Sequence, residues 1–166
     1  MTRAALMIAL WSAAAGCTQQ DDLHKLRTPE RATFELAGDV LHNHCGSLDC
    51  HGDPARGLRI YGGNGMRADG ISGQGATTEA DYDATFESVV LFEPEVMHSV
   101  VSKHGEHPER LTMIQKGRGA QVHKGGVAIS EGSDADDCVV SWLSGAIDEK
   151  SCNDGAELEP PPAPES

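Results

Sequence analysis

The chain has 166 residues, of which 39% are hydrophobic and only 4% aromatic, and its formal net charge is −13. This length fits one domain with tails better than a multidomain enzyme. An acidic chain is repelled by phosphate backbones and anionic membrane surfaces, so we expect no nucleic-acid partner. No apolar run reaches the roughly 18 residues that a membrane-spanning helix needs.

The N-terminus has the pattern of an export signal. Arg3 precedes an apolar stretch at residues 4–15, which is typical of a secretory leader. The leader ends in Ala-Ala-Gly before Cys17, and this junction resembles the lipobox of bacterial lipoproteins, although Ala14 stands where Leu is usual. The resemblance implies a signal peptide over residues 1–16 and lipidation of Cys17. Ordinary secretion with a free Cys17 is the alternative.

The lipoprotein resemblance also implies a location. We expect the bacterial cell envelope, with a lipid anchor as the only membrane contact. Thr18 stands where an Asp would resemble an inner-membrane retention signal, which favours the outer membrane, facing the periplasm or the surface. Residues 17–29 are short and mostly polar, as expected of a tether between a lipid and a domain.

Hydrophobic spacing predicts a helix that leads into the first pair of domain cysteines. Thr28 is the expected N-cap and Pro29 the first helical residue. Apolar side chains then recur every three or four residues along one face, up to His44. The members of this face are Phe34, Ala37, Val40, Leu41 and His44.

The middle of the chain alternates between loops and short helices. Residues 62–75 are rich in glycine and predict a loop. Helices are predicted at 82–92, 95–103 and 108–116, followed by an irregular stretch at 117–126 that contains a histidine.

A capped helix and a polar tail close the chain. Ser133 is the expected N-cap, acidic residues fill the first turn, and Gly145 lies near the end of the helix. The domain is expected to span residues 30–152. Residues 153–166 contain four acids and four prolines, which predicts disorder.

Four cysteines lie within the domain: Cys45, Cys50, Cys138 and Cys152. An even number in an exported chain is typical of disulfides. However, Cys50 is followed at once by His51. Two cysteines and an adjacent histidine form the pattern that attaches haem c: the thiols add to its vinyl groups, and the histidine ligates the iron.

With this motif the sequence resembles a small, single-haem c-type cytochrome. A helix before the motif, Gly52 after it, and a closing amphipathic helix with Trp142 occur in the order typical of that family. Four residues separate the cysteines, where the family usually has two. The resemblance implies a mostly α, cytochrome c-like fold with long loops, one haem c and electron transfer without a transformed substrate. It would cover about residues 30–147.

Under this resemblance Cys45 and Cys50 hold the haem, His51 is the proximal iron ligand, and a distal ligand is still needed. His123 is favoured over Met113, because a glycine-containing loop reaches iron more freely than a packed helix. Bis-histidine ligation would imply a lower potential than His/Met ligation. Arg59 or Arg67 would pair with a haem propionate.

Two alternatives to haem remain open at the sequence level. The first is a surface lipoprotein with a binding or structural role, stabilised by Cys45–Cys50 and Cys138–Cys152 disulfides. The second is a zinc or copper site that uses His42, His44 and His51. A Cys138–Cys152 disulfide is expected with or without haem, and it would contribute roughly 3 kcal/mol.

A hydrolase is disfavoured, because the chain has neither a G-x-S-x-G elbow nor an H-E-x-x-H helix. For the electron-transfer reading the expected partner is a redox protein. The net charge of −13 predicts that this partner presents a basic face.

Overall fold

The computed structural model describes residues 26–70 and 75–157. The predicted signal peptide, Cys17, most of the tether and residues 158–166 lie outside these ranges. Within them, no helix is both long and apolar enough to cross a membrane.

Six α-helices form the domain, and the described residues contain no strand, which confirms the mostly α class. The helices are α1 (Phe34–Cys45), α2 (Glu79–Phe92), α3 (Pro94–Ser102), α4 (Thr112–Gly117), α5 (Asp134–Ser144) and α6 (Glu149–Ala156). Short 3-10 turns, Arg31–Thr33 and Pro108–Arg110, precede α1 and α4.

The first helix begins later than the sequence predicts, so Thr28 is not its N-cap. Glu30 is extended, and its carbonyl oxygen accepts a hydrogen bond from the Trp142 indole at 3.1 Å. Pro29 is buried and precedes a 3-10 turn. The contact with Trp142 therefore fixes the approach of the chain to α1, and regular helix starts only at Phe34.

The second helix starts earlier than predicted because of a capping box. The Thr78 side chain accepts a hydrogen bond from the Asp81 backbone N–H, and the Asp81 carboxylate accepts one from the Thr78 N–H at 2.9 Å. Asp81 also pairs with Arg67 at 2.8 Å and accepts from the Ala68 N–H at 2.9 Å. These contacts fasten the preceding loop to the start of α2.

The core centres on an aromatic cluster between α1, α2 and α5. The ring centroid of Phe34 lies 5.4 Å from that of Phe86 and 5.0 Å from that of Trp142. Phe34 and Trp142 are essentially inaccessible to solvent. The helix that ends in Cys45 is therefore held directly against the closing helix α5.

The last helix corrects the predicted end of the domain. Residues 153–156, predicted as disordered tail, belong to α6, whose N-cap Asp148 accepts from the Ser151 N–H. A Cβ on Gly155 would lie 2.4 Å from the Ala135 nitrogen, so the backbones of α6 and α5 are in direct contact at this point. The Ala156 carbonyl also accepts from the Asn43 side chain at 2.7 Å. Packing on α1 and α5 thus overrides the weak helix propensity of this segment.

The Cys138–Cys152 disulfide predicted from the sequence is present, with a sulfur–sulfur distance of 2.03 Å. Both cysteines are buried, and the bond links α5 to α6 across 14 residues of sequence. Replacing both with alanine should lower the free energy of unfolding by about 3 kcal/mol, because the unfolded chain regains loop entropy. Urea unfolding of the oxidised protein and the double variant measures this difference. Equal unfolding free energies would contradict it.

Candidate functional site

One cavity collects the cysteines and the iron-ligand candidates that the sequence assigns to the haem. Its volume is about 300 Å³, at the lower end of the range for ligand pockets. Cys45, Cys50, His51, Met113 and His123 all line it. Residues far apart in sequence therefore meet around one space.

The cysteine motif forms a tight turn at the end of α1. The Gly46 N–H donates to the His42 carbonyl, and the His51 N–H donates back to the Cys45 carbonyl, both at 2.9 Å. Residues 47–49 are exposed, so the long spacer between the cysteines lies at the surface. The turn directs both cysteines and His51 towards the same cavity.

Glycines make this turn possible. A Cβ on Gly52 would lie 2.1 Å from the Gly46 carbonyl oxygen and 2.8 Å from the Gly65 Cα. The Gly52 carbonyl in turn accepts from the Met66 N–H at 2.9 Å. No larger residue fits at Gly52 without displacing the motif.

One ring nitrogen of His51 is engaged by the backbone, and the ring stays neutral at neutral pH. Its Nδ1 lies 3.0 Å from the Leu58 carbonyl oxygen, which can only accept, so Nδ1 carries the hydrogen and donates it. Its Nε2 is then left with a free lone pair. Burial lowers the pKa of His51, and the nearby charges of His123, Arg56 and Lys116 lower it further. The neutral imidazole is therefore the stable form at neutral pH.

His123 has an unusual environment for a loop histidine. Its Nδ1 is buried and has no hydrogen-bond partner. The surrounding loop turns at Gly119 and Gly126, where φ is +74° and +64°, conformations that favour glycine. A buried imidazole nitrogen without a partner costs free energy unless a ligand satisfies the ring.

Met113 also lines the cavity, from α4, and it is partly buried against the core. The position of Met113 is compatible both with a ligand role and with packing in the core. The structure therefore places both sequence candidates for the distal ligand at the cavity.

The motif cysteines carry free thiols, so the Cys45–Cys50 disulfide of the alternative hypothesis is not formed here. Burial raises the pKa of the Cys45 thiol to about 12, with a smaller contribution from Cys50. A thiol with so high a pKa stays protonated at neutral pH.

The positive charges at the cavity differ from those expected. Arg67 pairs with Asp81, and Arg59 donates to the Arg56 carbonyl, and neither lines the cavity. Arg56 lines it instead, and its guanidinium donates to the Cys50 carbonyl at 3.1 Å. The proximity of Arg56 to His51 in sequence, only five residues apart, was the signal available for finding it.

Three further cations, Lys116, Arg118 and Lys124, line the cavity. Arg118 is bound by the buried Asp136 through two hydrogen bonds of 2.8 and 2.9 Å, so its charge is neutralised locally. The other two come from α4 and the loop after it, and no sequence motif marks them.

The other histidines near the motif do not form a metal centre. Both ring nitrogens of His44 face carbonyl oxygens, Ala128 at 3.0 Å and Gly155 at 2.8 Å. His42 is buried against Gly62 and does not line the cavity. Across residues 26–70 and 75–157, no group of three or more His, Cys, Asp or Glu side chains is arranged to hold a metal ion. The structure thus gives no support to the zinc or copper alternative.

Two histidines with lowered pKa values, the buried His42 and the half-buried His51, predict an acid-sensitive fold. Burial lowers the pKa values of His42 and His51, so the unfolded chain binds protons that the native state does not. Their stabilising effect is complete above pH 6.5, the ordinary value, and declines as the pH falls below it. We expect the unfolding free energy of the haem-free protein, measured in urea, to decrease between pH 7.5 and 5.5.

A matched pair of variants tests this pH dependence. His42→Gln should flatten it, because one of the two groups is removed. His104→Asn should leave it unchanged, because His104 is exposed and Asn tolerates its positive φ of 54°. A stability that does not change with pH in the unsubstituted protein would contradict the prediction.

No family model, no curated protein and no solved structure matches this chain. What the site can do chemically therefore follows from its own donor atoms, walls and charges.

Proposed function

We propose that this protein is a lipid-anchored c-type cytochrome that passes single electrons to a redox protein. The observation that carries the proposal is the shared cavity, in which Cys45, Cys50 and His51 meet His123. A lipid at Cys17 and a place in the bacterial envelope complete the proposal, on the lipobox resemblance alone.

The donor set fits haem c. The cysteine thiols of the motif would carry the two thioether bonds, and the free lone pair of His51 Nε2 would ligate the iron. His123 is the proposed distal ligand, and ligation through Nδ1 would give that buried nitrogen a partner. When bound, haem supplies a one-electron iron couple whose potential depends on these ligands.

The walls of the cavity fit the same group. Six buried apolar side chains line the interior, namely Leu41, Leu58, Ile60, Ile114, Ile129 and Val139. Arg56 provides a positive charge in the wall of the cavity, which would be available to a haem carboxylate. An apolar interior with a cation at its edge suits a flat, mostly apolar ligand that carries negative groups.

The packing of the helices adds support for a cytochrome c-like domain. In that family the first and last helices pack together, and here α1 contacts α5 through Phe34 and Trp142. This chain adds α6, which the disulfide fixes to α5. The proposal assigns α6 a stabilising role only.

The experiment is a pyridine haemochrome spectrum of the Cys17→Ala protein, exported in cells with haem-attachment machinery. We expect a c-type band equivalent to a single haem per chain that survives acid-acetone extraction. A colourless protein without free thiols would overturn the proposal. It would favour the alternative, a surface lipoprotein with two disulfides and a binding or structural role.

The distal ligand can be identified with methionine and leucine variants. His123→Met should keep a sixth ligand and raise the midpoint potential, because a thioether favours the reduced iron. Met113→Leu should leave both the potential and the low-spin spectrum unchanged. Potentiometric titration measures the shift. The opposite pattern, with only Met113→Leu changing the potential, would assign Met113 as the ligand.

A further inference from the structure

The half-buried ring of His44 lies between two carbonyl oxygens. Its Nδ1 is 3.0 Å from the Ala128 oxygen, and its Nε2 is 2.8 Å from the Gly155 oxygen. A carbonyl oxygen can only accept a hydrogen bond, and a neutral imidazole has only one N–H to donate. Both contacts are hydrogen bonds only when both nitrogens carry hydrogen. The geometry therefore fits the charged imidazolium form.

Two helix ends meet at this ring. His44 lies in the last turn of α1, and Gly155 lies in the last turn of α6. The final carbonyl groups of a helix have no partner within it and form the negative end of its dipole. A positive ring that donates to the Gly155 carbonyl therefore caps α6 and lies at the negative ends of both helices, which favours the charged form.

No carboxylate among the described residues lies within ion-pair distance of His44. Arg118 pairs with Asp136 and Lys150 pairs with Asp154, so these charges cancel locally. The ring is therefore stabilised by backbone carbonyls. The other titratable groups around it are the motif thiols, Asp49, His51, Arg56, Lys116, His123 and Lys124 along the cavity, and Glu157 after α6.

His44 also binds the base of the loop that carries His123. The Ala128 N–H donates to the Gly117 carbonyl at 3.0 Å, which closes the loop at residues 118–127. The Ala128 carbonyl faces the His44 ring, and His44, Ala128 and His123 all line the cavity. The contact between His44 and Ala128 therefore ties the closed loop to the end of α1.

We infer that His44 is a positioning residue, which in its charged form holds the His123 loop and the end of α6 against α1. Loss of one ring proton leaves a nitrogen lone pair facing a carbonyl oxygen, so one of the two hydrogen bonds is lost. His44 acts on His123 through Ala128. Its effect on the distal iron ligand rests on the proposed function, whereas the charge of the ring and its hold on the loop do not.

The protonation of the ring can be observed directly. Long-range 1H–15N correlation spectra of the 15N-labelled Cys17→Ala protein, with any haem reduced, distinguish imidazolium from the two neutral tautomers. We expect both nitrogens of His44 to be protonated at pH 7, where a free imidazole is mostly neutral. As the pH is raised further, the amide signals of Gly126 and Ala128 should shift with the same midpoint as the ring. A neutral ring at pH 7 would overturn the inference.

Two variants in α1 separate the loop from α6. His44→Gln has no charge and both donors on one nitrogen, so it cannot span the two carbonyls. It should abolish the titration of the loop amides and accelerate hydrogen exchange of the Ala128 N–H roughly threefold to tenfold, the factor for one lost hydrogen bond. Asn43→Ala removes the bond to the Ala156 carbonyl and should leave the loop unchanged. Equal effects of both variants on the loop would overturn the inference.

Added imidazole, a competing iron ligand, gives a readout in the haem-loaded protein. His44→Gln should raise the affinity of the ferric protein for imidazole roughly threefold to tenfold at pH 7, because the His123 loop leaves the iron more easily. After correction for the protonation of imidazole itself, the affinity of the unsubstituted protein should rise as His44 loses its proton. The same affinity in both proteins at every pH would overturn the positioning role.

The charged ring affects stability with the opposite sign to His42 and His51. The native state keeps a proton that the unfolded chain loses above pH 6.5, so this stabilising effect is complete below pH 6.5 and declines above it. Two groups act against one, so the unfolding free energy still decreases between pH 7.5 and 5.5. The decrease should be steeper in His44→Gln, and an unchanged slope would contradict the inference.

The measurements separate failure of this inference from failure of the proposed function. Haem content is measured by pyridine haemochrome in every preparation. Absence of haem would refute the proposed function, and the ring and amide spectra would still decide whether His44 holds the loop. Full haem together with a neutral His44 ring would refute this inference alone.

Discussion

Alanine at both Cys45 and Cys50 is expected to abolish covalently attached haem. These thiols line the same cavity as His51 and are free, so they are the groups available for thioether bonds. Haem that survives acid-acetone extraction should fall from a single equivalent per chain to background. The measurement is a pyridine haemochrome assay on protein exported with haem-attachment machinery.

The other cysteine pair provides the control. Cys138→Ala/Cys152→Ala removes the same number of sulfur atoms, but neither residue lines the cavity. This variant should retain covalent haem and lose stability. Full haem content in the Cys45→Ala/Cys50→Ala protein would contradict the cytochrome proposal, even if the unsubstituted protein is red.

The sequence singled out the cysteines and ligand candidates from local patterns, and the structure brings them to one cavity. The motif from Cys45 to His51 is contiguous, and its meaning depends on residue type and order. His123 was singled out by the flexibility of its loop, and the structure places it at the same cavity. Its buried, unpartnered Nδ1 could not be predicted, because that depends on how the loop packs.

Which charged residues line the cavity could be learned only from the structure. Arg59 and Arg67 follow the motif closely, and composition alone does not distinguish them from Arg56. Arg67 forms an ion pair with the buried Asp81, whose position is fixed by the capping box of α2. Lys116 comes from α4, and only the tertiary fold brings it to the cavity.

Helix positions were predictable and helix ends less so. Apolar periodicity located five of the six helices, and Ser133 and Gly145 cap α5 as their residue types indicate. α6 was missed because its last turn holds Asn, Asp and Gly, which are weak helix formers. Its stability comes from the disulfide and from contacts with α1 and α5 that have no local signature.

Trp142→Ala is expected to lower the unfolding free energy by about 3–5 kcal/mol, the usual cost of truncating a buried Trp. Trp142 is only 1% exposed and contacts both Phe34 and Phe86. Its indole also donates to the Glu30 carbonyl, so the truncation leaves a cavity and an acceptor without its partner. Urea unfolding measures the loss.

Trp142→Phe separates the contribution of ring packing from that of the indole hydrogen bond. It keeps an aromatic ring against Phe34 but removes the indole N–H, so we expect a smaller loss, with about 1 kcal/mol from the hydrogen bond. Because Phe34 begins the helix that ends in Cys45, a weakened contact here should also loosen the motif turn. Amide hydrogen exchange at His51, whose N–H donates to Cys45, should accelerate in Trp142→Ala more than in Trp142→Phe. A Trp142→Ala protein within 1 kcal/mol of the unsubstituted protein would show that the aromatic cluster does not hold α1 against α5.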